Sequence, residues 1–387
     1  MLSWLLFPLL SSLVLDVRGA NVTTIKPRLF IVTMFDLESD AWYNIPDFNI
    51  LAQNITVPGF SPLYPNASCT SDASVCLLTT GEGEINAAST ITSLLFSPSF
   101  DLTSTYFMIS GTAGINPKMA SIGDVTFARY SVSVALQYEF DTREMPSNFN
   151  TGYFPIGSTA PGGPVVQTYG TEVFEVNDAL RQLAFSYAKT ATLNDTAETQ
   201  LARNMYVNSS MYTAAARQGP SVVLCDTATS DVWWSGQRLG EAFENITRVW
   251  TNGTGEYCTS QQEDNATLNA LMRGALFRLV DFSRIIVMRS GSDFDRQYEG
   301  QAAVANLLGP TPGFSPSVLN LRLAGVKIIE AILDQWDSTF AKGIEPTNYV
   351  GDILGSLGGE PDFGPGSVFK GKGAVMGPAS KRVPGKY

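Results

Sequence analysis

The sequence of 387 residues contains no histidine. This absence excludes the Ser-His-Asp and Cys-His mechanisms of nucleophilic catalysis, and it removes the commonest protein ligand of zinc. Any acid–base chemistry must therefore use the side chains of Asp, Glu, Tyr or Lys. We expect neither a metal site nor a cofactor.

Basic residues are also scarce. The chain has 25 Lys and Arg against 36 Asp and Glu, which gives a formal net charge of −11 at pH 7. An acidic protein repels the phosphate backbone of nucleic acids, so the composition argues against nucleic acid as a partner.

Long apolar runs occur only at the N-terminus. A run from Leu2 to Leu15 is followed by small and polar residues, which is the layout of a secretory signal peptide, and it is too short to span a bilayer. We expect residues 1–20 to be a signal peptide cleaved after Gly19 or Ala20, with an uncleaved anchor as the alternative. Because no later segment offers a spanning run, we expect a secreted, extracellular protein.

Eight N-x-[ST] sequons agree with passage through a secretory pathway, where such sites receive N-linked glycans. We predict glycosylation at about half of the set. The sequons lie at Asn21, Asn54, Asn66, Asn194, Asn208, Asn245, Asn252 and Asn265.

Only four cysteines are present, and an even number in an oxidising compartment predicts disulfides. Three pairings are possible. The short intervening segment favours a bond between Cys69 and Cys76, which leaves Cys225 to pair with Cys258. The spacing does not suit a metal site.

Apolar, β-rich runs alternate with helical patterns along the chain. The predicted strands are Leu29–Met34, Ser74–Thr79, Tyr106–Ser110, Asp124–Tyr130, Ser221–Cys225 and Arg284–Arg289. The predicted helices are Asn86–Leu95, Val173–Lys189, Leu239–Phe243, Leu268–Val280 and Ser315–Ala341. This alternation predicts an α/β fold, a single domain over residues 21–354 with a central mixed, mostly parallel sheet flanked by helices. Residues 355–387 are rich in Gly, Pro and Lys and predict a flexible tail, with a role in assembly as the alternative.

Five of the predicted strands run into turns rich in Gly, Ser or acidic residues. Ligands of open α/β sheets bind at the carboxyl ends of the strands, so these turns are the candidate site. One of them contains Gly81 and Gly83, which could also simply close a strand–helix corner. The five turns read MFDLESDAW, TTGEGEIN, ISGTAGINP, CDTATSDVWWSG and VMRSGSDFD.

Taken together and in this order, these turns resemble the nucleoside phosphorylase/nucleosidase superfamily, whose members cut the bond between a purine and ribose. The stretch from Ile109 to Pro155 is similar to the fungal group called purine nucleoside permeases. The turns are also similar to those of methylthioadenosine/S-adenosylhomocysteine nucleosidases. The resemblance implies a nucleoside phosphorylase-like fold and purine nucleosides (adenosine, inosine, guanosine) as partners. It also implies a homodimer.

The last turn matches the family pattern Arg-x-x-Ser-Asp at Arg289, Ser292 and Asp293. The resemblance implies that Asp293 donates a proton to the purine N7 and that Ser292 orients it. Protonation makes the base a neutral leaving group, and burial raises the pKa of a carboxyl enough to retain the proton. The alternative is an aspartate that only caps a turn.

Two other turns imply substrate contacts. Glu263, or else Asp264, matches the family's ribose-binding carboxylate, which can accept hydrogen bonds from both ribose hydroxyls. Asp231 and Trp233 match the purine-binding turn, with Trp233 stacking on the base and Trp234 as the alternative. A pair of tryptophans can also be ordinary core.

The first turn implies the nucleophile. The related nucleosidases activate water with a Glu a few residues after the first strand, and Glu38 or Asp36 occupies that place. Thr112 and Gly81, in the third and second turns, are further substrate-binding candidates.

Phosphorylases of the superfamily hold phosphate with Arg residues in the first loop and before the third turn. The first loop of this chain has no Lys or Arg. At the position before the third turn, where those phosphorylases have their second Arg, this chain has Ile109 or Ser110. A phosphate dianion beside acidic residues would be poorly held. We therefore expect a hydrolase of purine nucleosides, with a phosphorylase or a secreted nucleoside-binding, uptake-assisting protein as alternatives.

Overall fold

The computed structural model describes residues 24–46, 48–215 and 219–364. The predicted signal peptide, the sequon at Asn21 and residues 365–387 of the predicted tail lie outside these ranges. The strands are β1 (Leu29–Thr33), β2 (Gln53–Thr56), β3 (Asn66–Cys69), β4 (Val75–Thr79), β5 (Tyr106–Ile115), β6 (Val125–Ala128), β7 (Tyr130–Ser133), β8 (Gln137–Glu139), β9 (Tyr153–Pro155), β10 (Val173–Glu175), β11 (Val222–Leu224), β12 (Asp226–Thr229), β13 (Tyr257–Gln261), β14 (Ile285–Phe294) and β15 (Gly351–Asp352). The α-helices are α1 (Asp36–Asp40), α2 (Glu84–Leu95), α3 (Asp178–Ala188), α4 (Ala197–Asn204), α5 (Gln237–Trp250), α6 (Asp264–Leu276), α7 (Ala303–Leu307) and α8 (Phe314–Asp334).

A central sheet organises these elements. Its main path runs β15-β10-β7-β12-β13-β5-β1-β4-β3-β2, with β14 beside β5 and β6, and β6 beside β11. Parallel pairs join β4 to β1, β1 to β5 and β5 to β14, and antiparallel pairs such as β2 with β3 and β7 with β10 make the sheet mixed. The α/β fold with a mixed sheet flanked by helices is confirmed.

The two faces of the sheet are covered by different helices. Along β1, Phe30 and Val32 pack in the cluster that includes α2 and α6, while Leu29 and Ile31 pack in the cluster that includes α3 and α8. Successive side chains of a strand point to opposite faces, so both faces need apolar residues. This explains why β1 and β4 are continuous apolar runs, as expected of strands buried on both sides.

Several predicted boundaries are wrong. The strand predicted over 124–130 is two strands, β6 and β7, separated at Arg129. The strand predicted over 221–225 is the shorter strand β11, and a second strand, β12, begins directly after Cys225. The helix predicted over 173–189 begins only at Asp178, because its first residues form β10.

Two helix ends also differ from the prediction. Helix α6 begins at Asp264 rather than Leu268, and α8 ends at Asp334, followed by a π-helical turn at Trp336–Phe340. Because α6 starts earlier than predicted, Glu263 and Asp264 lie at the beginning of this helix, close to the candidate site.

The packed part of the chain extends past residue 354. The ring of Phe363 has no exposed surface and contacts Tyr130 and Tyr349 edge-on, each at a centroid distance of 5.7 Å. The flexible tail predicted from residue 355 therefore begins too early.

The predicted cysteine pairing is confirmed. One disulfide joins Cys69 to Cys76, between the neighbouring strands β3 and β4. The other joins Cys225, at the junction of β11 and β12, to Cys258 in β13.

The sequon at Asn265 lies inside the protein. Its side chain is 2% exposed, donates to the carbonyl oxygen of Thr171 at 2.7 Å, and accepts from the hydroxyls of Ser131 and Thr229 at 2.7 Å each. A glycan has no room there, so the glycosylation prediction is wrong at this position. Asn54 and Asn208 are exposed, and the sequons at Asn66, Asn194, Asn245 and Asn252 are partly exposed; all six stay predictions.

Candidate active site

A cavity lies at the carboxyl ends of the strands, where the turns singled out in the sequence meet. Residues after β1, β4, β12 and β13 and in the last parts of β5 and β14 line it, together with the start of α8. Its polar and aromatic lining includes Glu38, Glu82, Thr112, Ser230, Trp233, Trp234, Ser260, Gln261, Gln262, Glu263, Arg289, Ser292, Asp293, Asp295 and Phe314.

Glu38 lies in the short helix α1 and is 1% exposed. One carboxylate oxygen accepts from the backbone N–H of Thr112 at 2.6 Å and from its hydroxyl at 3.0 Å; the other accepts from the N–H of Met34 at 2.9 Å. Burial raises the pKa of Glu38 to about 7, while nearby Arg289 and the two N–H donors oppose the shift. The second oxygen has a lone pair free for a water molecule.

Asp36 is placed differently, although it belongs to the same helix. Its side chain is exposed, accepts only from the N–H of Leu37 and does not line the cavity. Of the two candidates for activating water, only Glu38 therefore faces the candidate site.

Arg289 lies beneath the cavity and joins two neighbouring carboxylates. Its Nη2 atom is 3.1 Å from Glu263 Oε2 and 2.5 Å from Asp264 Oδ1. Gly111 provides the space for this guanidinium, because a Cβ at that position would lie 2.5 Å from Arg289 Nη1 and 3.1 Å from Glu38 Oε1.

Glu263 and Asp264, the two candidates for the ribose-binding carboxylate, have different positions relative to the cavity. Glu263 lines the cavity, whereas Asp264 is fully buried behind it and pairs with Arg289. Burial raises the pKa of Glu263, and Arg289 opposes that shift. Glu263 is thus the carboxylate in a position to meet a ligand.

Asp293 lies at the end of β14 and lines the cavity. The Ser292 hydroxyl is 2.7 Å from Asp293 Oδ1 and 3.1 Å from the carbonyl oxygen of Ala113. Desolvation raises the pKa of Asp293 to about 6, with the hydrogen bond from Ser292 opposing and the charge of Asp295 adding. A carboxyl in this state can give up a proton near neutral pH.

The two tryptophans have different roles. Trp233 lines the cavity and is 67% exposed, so one side of the indole is open to a planar ligand. Trp234 is 9% exposed and packs edge-on against Phe243 at 4.7 Å in a core cluster, while still touching the cavity wall. Trp233 is therefore the better stacking candidate.

Protein carboxylates already occupy the N-terminus of α2. The N–H of Gly83 donates to Glu263 Oε1 at 3.0 Å, and the N–H of Glu84 donates to Asp231 Oδ1 at 2.9 Å. Asp231 and Gly81 do not line the cavity, so they support its wall rather than meet a ligand directly. Gly81 has a positive φ of 84°, which suits the sharp turn between β4 and α2.

The structure adds two residues that the sequence did not single out. Phe314, at the start of α8, stacks on Phe35 at a centroid distance of 6.1 Å, and both rings line the cavity. Asp295 lies just beyond the end of β14, and its position two residues after Asp293 in the same acidic segment was the available signal.

Acidic side chains outnumber basic ones in the cavity lining. Among its described lining residues, Arg289 is the one cation, and its guanidinium already pairs with Glu263 and Asp264. Within residues 24–46, 48–215 and 219–364, no three His, Cys, Asp or Glu side chains are grouped so that they could hold a metal ion.

Comparison with known proteins identifies the class of the chain. A family model described as purine nucleoside permease (NUP) matches residues 26–345. A purine nucleoside permease of Candida albicans is 43% identical over 357 residues, covering 89% of this chain and 85% of that protein. A probable purine nucleoside permease of Schizosaccharomyces pombe is 43% identical over 320 residues, covering 80% of this chain and 90% of that protein. The chain belongs to the purine nucleoside permease family.

Solved structures give more distant similarities. A methylthioadenosine/S-adenosylhomocysteine nucleosidase of Neisseria meningitidis is 14% identical, covering 78% of this chain and 98% of that one, with a TM-score of 0.46. A futalosine hydrolase of Helicobacter pylori is 13% identical, covering 81% and 98% of the two chains, with a TM-score of 0.48. In the part of this chain that the structure describes, no helix has both the length and the apolar character needed to cross a membrane.

Proposed function

We propose that this protein hydrolyses the N-glycosidic bond of purine nucleosides to the free base and ribose. The observation that carries the proposal is the pair of carboxyl groups Asp293 and Glu38 in one cavity, with pKa values raised to about 6 and about 7. Two titratable groups near neutrality, one to give a proton and one to take it, are what acid–base cleavage needs. The family's description supports a purine nucleoside as the ligand.

In the proposed reaction, Asp293 gives its proton to the purine N7 as the bond from N9 to C1′ breaks. The hydrogen bond from Ser292 to Oδ1 fixes the carboxyl, so that Oδ2 presents the proton. A water molecule attacks C1′ while Glu38 takes its proton, and the products are the neutral base and ribose. Solvent returns the proton from Glu38 to Asp293, so the atoms and charges balance.

The remaining contacts position the nucleoside. Glu263 accepts hydrogen bonds from the ribose hydroxyls, since Arg289 and the N–H of Gly83 already fix its orientation. The exposed indole of Trp233 stacks on the purine, a contact that typically contributes about 1–3 kcal/mol.

The nucleophile is water rather than phosphate. A phosphate ion needs cations or free N–H groups. The described cavity offers Arg289 alone, which is shared between two carboxylates, and the first N–H groups of α2 already donate to Glu263 and Asp231. These occupied donors disfavour a phosphorylase.

A second candidate is a nucleoside-binding protein that assists uptake without catalysis, and the description of the relatives as permeases favours it. Such a protein needs Trp233 and Glu263 but makes no use of two carboxyl groups with raised pKa values, Glu38 and Asp293, in the same cavity. Secretion also stays part of the proposal, supported by the two disulfides, which persist in oxidising compartments.

The test is product analysis with inosine, guanosine and adenosine, with and without phosphate. We expect free base and ribose at the same rate in both buffers. A requirement for phosphate, with ribose 1-phosphate accumulating, would make the protein a phosphorylase. Saturable nucleoside binding without any bond cleavage would support the uptake protein instead.

A further inference from the structure

A second carboxylate, Asp295, lies beside the proposed proton donor. Asp293 lies in the last turn of the sequence pattern at the end of β14, Asp295 follows just beyond the strand, and both line the cavity. Asp293 Oδ2 and Asp295 Cβ lie 3.9 and 4.0 Å from the point that a Cβ on Gly114 would occupy. The two aspartates therefore both lie close to Gly114 in the cavity wall.

Asp295 is held by protein groups on both carboxylate oxygens. It is 2% exposed and accepts hydrogen bonds from the Tyr257 hydroxyl at 2.7 Å, from Arg296 Nε at 2.7 Å and from Arg296 Nη2 at 2.8 Å. Gly240 makes this geometry possible, because a Cβ there would lie 2.4 Å from Arg296 Cζ. These three donors fix the orientation of the Asp295 carboxylate.

The positive charge that pairs with Asp295 is directed away from the cavity. Arg296 Nη1 contacts Glu244 Oε1 on α5 at 2.7 Å, and Lys118 Nζ lies 3.1 Å from Glu244 Oε2. Of the four charged groups in this chain of ion pairs, only Asp295 lines the cavity. Asp293 therefore has a negative charge as its neighbour on this side.

We propose that Asp295 is a positioning residue that acts through Asp293, its fixed negative charge opposing ionisation of the proton donor. This inference rests on the proposed function. A negative charge at short range disfavours ionisation of a neighbouring carboxyl, and Asp295 accepts from two nitrogens of the Arg296 guanidinium. The groups facing this pair are the Ser292 hydroxyl, the phenols of Tyr206, Tyr212 and Tyr257, and Arg296. Among the charged groups that affect the pKa of Asp293, the raising one is Asp295.

The test is Asp295→Asn, studied by carbon-13 NMR titration of the Asp293 carboxyl and by rates at pH 5 and pH 8. The Asp293 resonance is assigned by its loss in Asp293→Asn. We expect the midpoint to fall by about one pH unit. Because a donor acts only while protonated, the rate at pH 8 should then fall about tenfold, while the rate at pH 5 stays within about twofold.

Two further variants guard against a purely structural effect. Asp295→Asn/Arg296→Gln removes both charges, so no unpaired buried cation is left, and it should show the same shift. Asp178→Asn breaks an Asp–Arg contact of 2.7 Å outside the cavity and should leave the midpoint unchanged. An unchanged Asp293 midpoint in folded Asp295→Asn and in the double variant overturns the inference. If the wild type cleaves no nucleoside, the proposed function is wrong, yet the NMR titration still decides whether Asp295 controls Asp293.

Discussion

At the scale of single residues, burial sets the chemistry of Glu38 more than any partner does. The guanidinium of Arg289 and two backbone N–H groups favour the carboxylate, but loss of water outweighs them and raises the pKa to about 7. The same cause acts on Asp293, which has a hydroxyl donor in place of a cation, and raises its pKa to about 6. Both groups therefore change protonation close to neutral pH.

The first prediction is a bell-shaped pH profile. Asp293 must carry its proton, which it loses as the pH rises through about 6, and Glu38 must have lost its proton, which happens as the pH rises through about 7. The rate should therefore peak near pH 6.5, between the two values, and fall about tenfold per unit well outside them. The measurement is kcat/KM for inosine from pH 4 to pH 9. A rate that is constant between pH 5 and pH 8 would exclude this pair.

The second prediction separates Glu38 from Asp36. Glu38→Gln should lower kcat about 10²- to 10⁴-fold, because the amide cannot take a proton from water. Asp36→Asn, in the same helix but exposed, is the matched control and should stay within about twofold of the wild type. Steady-state rates at pH 6.5 provide the comparison. The reverse ranking would transfer the role to Asp36.

The sequence could not separate these two residues, because both are acidic and follow the same strand. Their difference arises from the helical turn between Phe35 and Ala41, which turns Glu38 inward to the N–H groups of Met34 and Thr112. Thr112 is distant in sequence, so the contact depends on the folded sheet.

At the scale of secondary-structure elements, the strand–turn pattern predicted the location of the site, because all five segments identified as turns contribute residues to the cavity. Two of these segments are largely strand in the structure, since β5 extends to Ile115 and β14 to Phe294. The break between β6 and β7 was not predictable. There the backbone N–H groups of Arg129 and Tyr130 donate to the side chain of Asp226 at 2.9 Å each, instead of to a neighbouring strand. This long-range contact divides an apolar run that reads as one strand.

The segment 173–189 is a second case in which a long-range pairing could not be predicted from the local sequence. Its apolar positions fit a helix, but Val173–Glu175 pair with β7 and β15. Asn177 then starts α3 by accepting from the N–H of Leu180 at 3.2 Å. Asn is a common helix cap, but the prediction from apolar spacing began the helix at Val173, because the pairing that makes Val173–Glu175 a strand involves residues distant in the chain.

The third prediction concerns the start of α6. Glu263→Gln should weaken hydrogen bonds from the ribose hydroxyls, lowering kcat/KM for inosine about 10- to 100-fold, with a smaller loss for 2′-deoxyinosine, which offers one hydroxyl fewer. The ratio of kcat/KM for the two nucleosides is the measurement. Equal losses on both would exclude Glu263 as the ribose carboxylate, and the same pair of assays on Asp264→Asn would then test the alternative.

At the scale of the whole molecule, the absence of histidine limited acid–base chemistry to Asp, Glu, Tyr and Lys side chains, and the described lining of the cavity contains five carboxyl groups. The order of strands in the sheet could not be predicted from the sequence, because it depends on pairings such as β5 with β14, which lie far apart in the chain. The end of the domain was also beyond reach, since a Gly- and Pro-rich segment gave no sign that Phe363 completes a core cluster.

The fourth prediction concerns the two disulfides. Denatured protein should show no free thiol. Replacing Cys225 and Cys258 by Ser removes a constraint on a 33-residue separation and should lower the free energy of unfolding by about 4 kcal/mol. The matched change at Cys69 and Cys76, with a separation of 7 residues, should lower it by about 2 kcal/mol. Urea unfolding measures both, and equal losses would contradict this account of the longer bond.

The central claim is that Asp293 supplies the proton that breaks the glycosidic bond. The direct measurement compares Asp293→Asn with the wild type in kcat for inosine at pH 6.5 and in the Kd of a non-cleavable nucleoside analogue. Asp101→Asn, at a surface ion pair with Lys26, is the control for the general effect of replacing an aspartate by asparagine. We predict that kcat of Asp293→Asn falls about 10²- to 10⁴-fold, while Kd stays within about threefold and the control matches the wild type. A folded Asp293→Asn variant that cleaves inosine within a few-fold of the wild-type rate would contradict the mechanism.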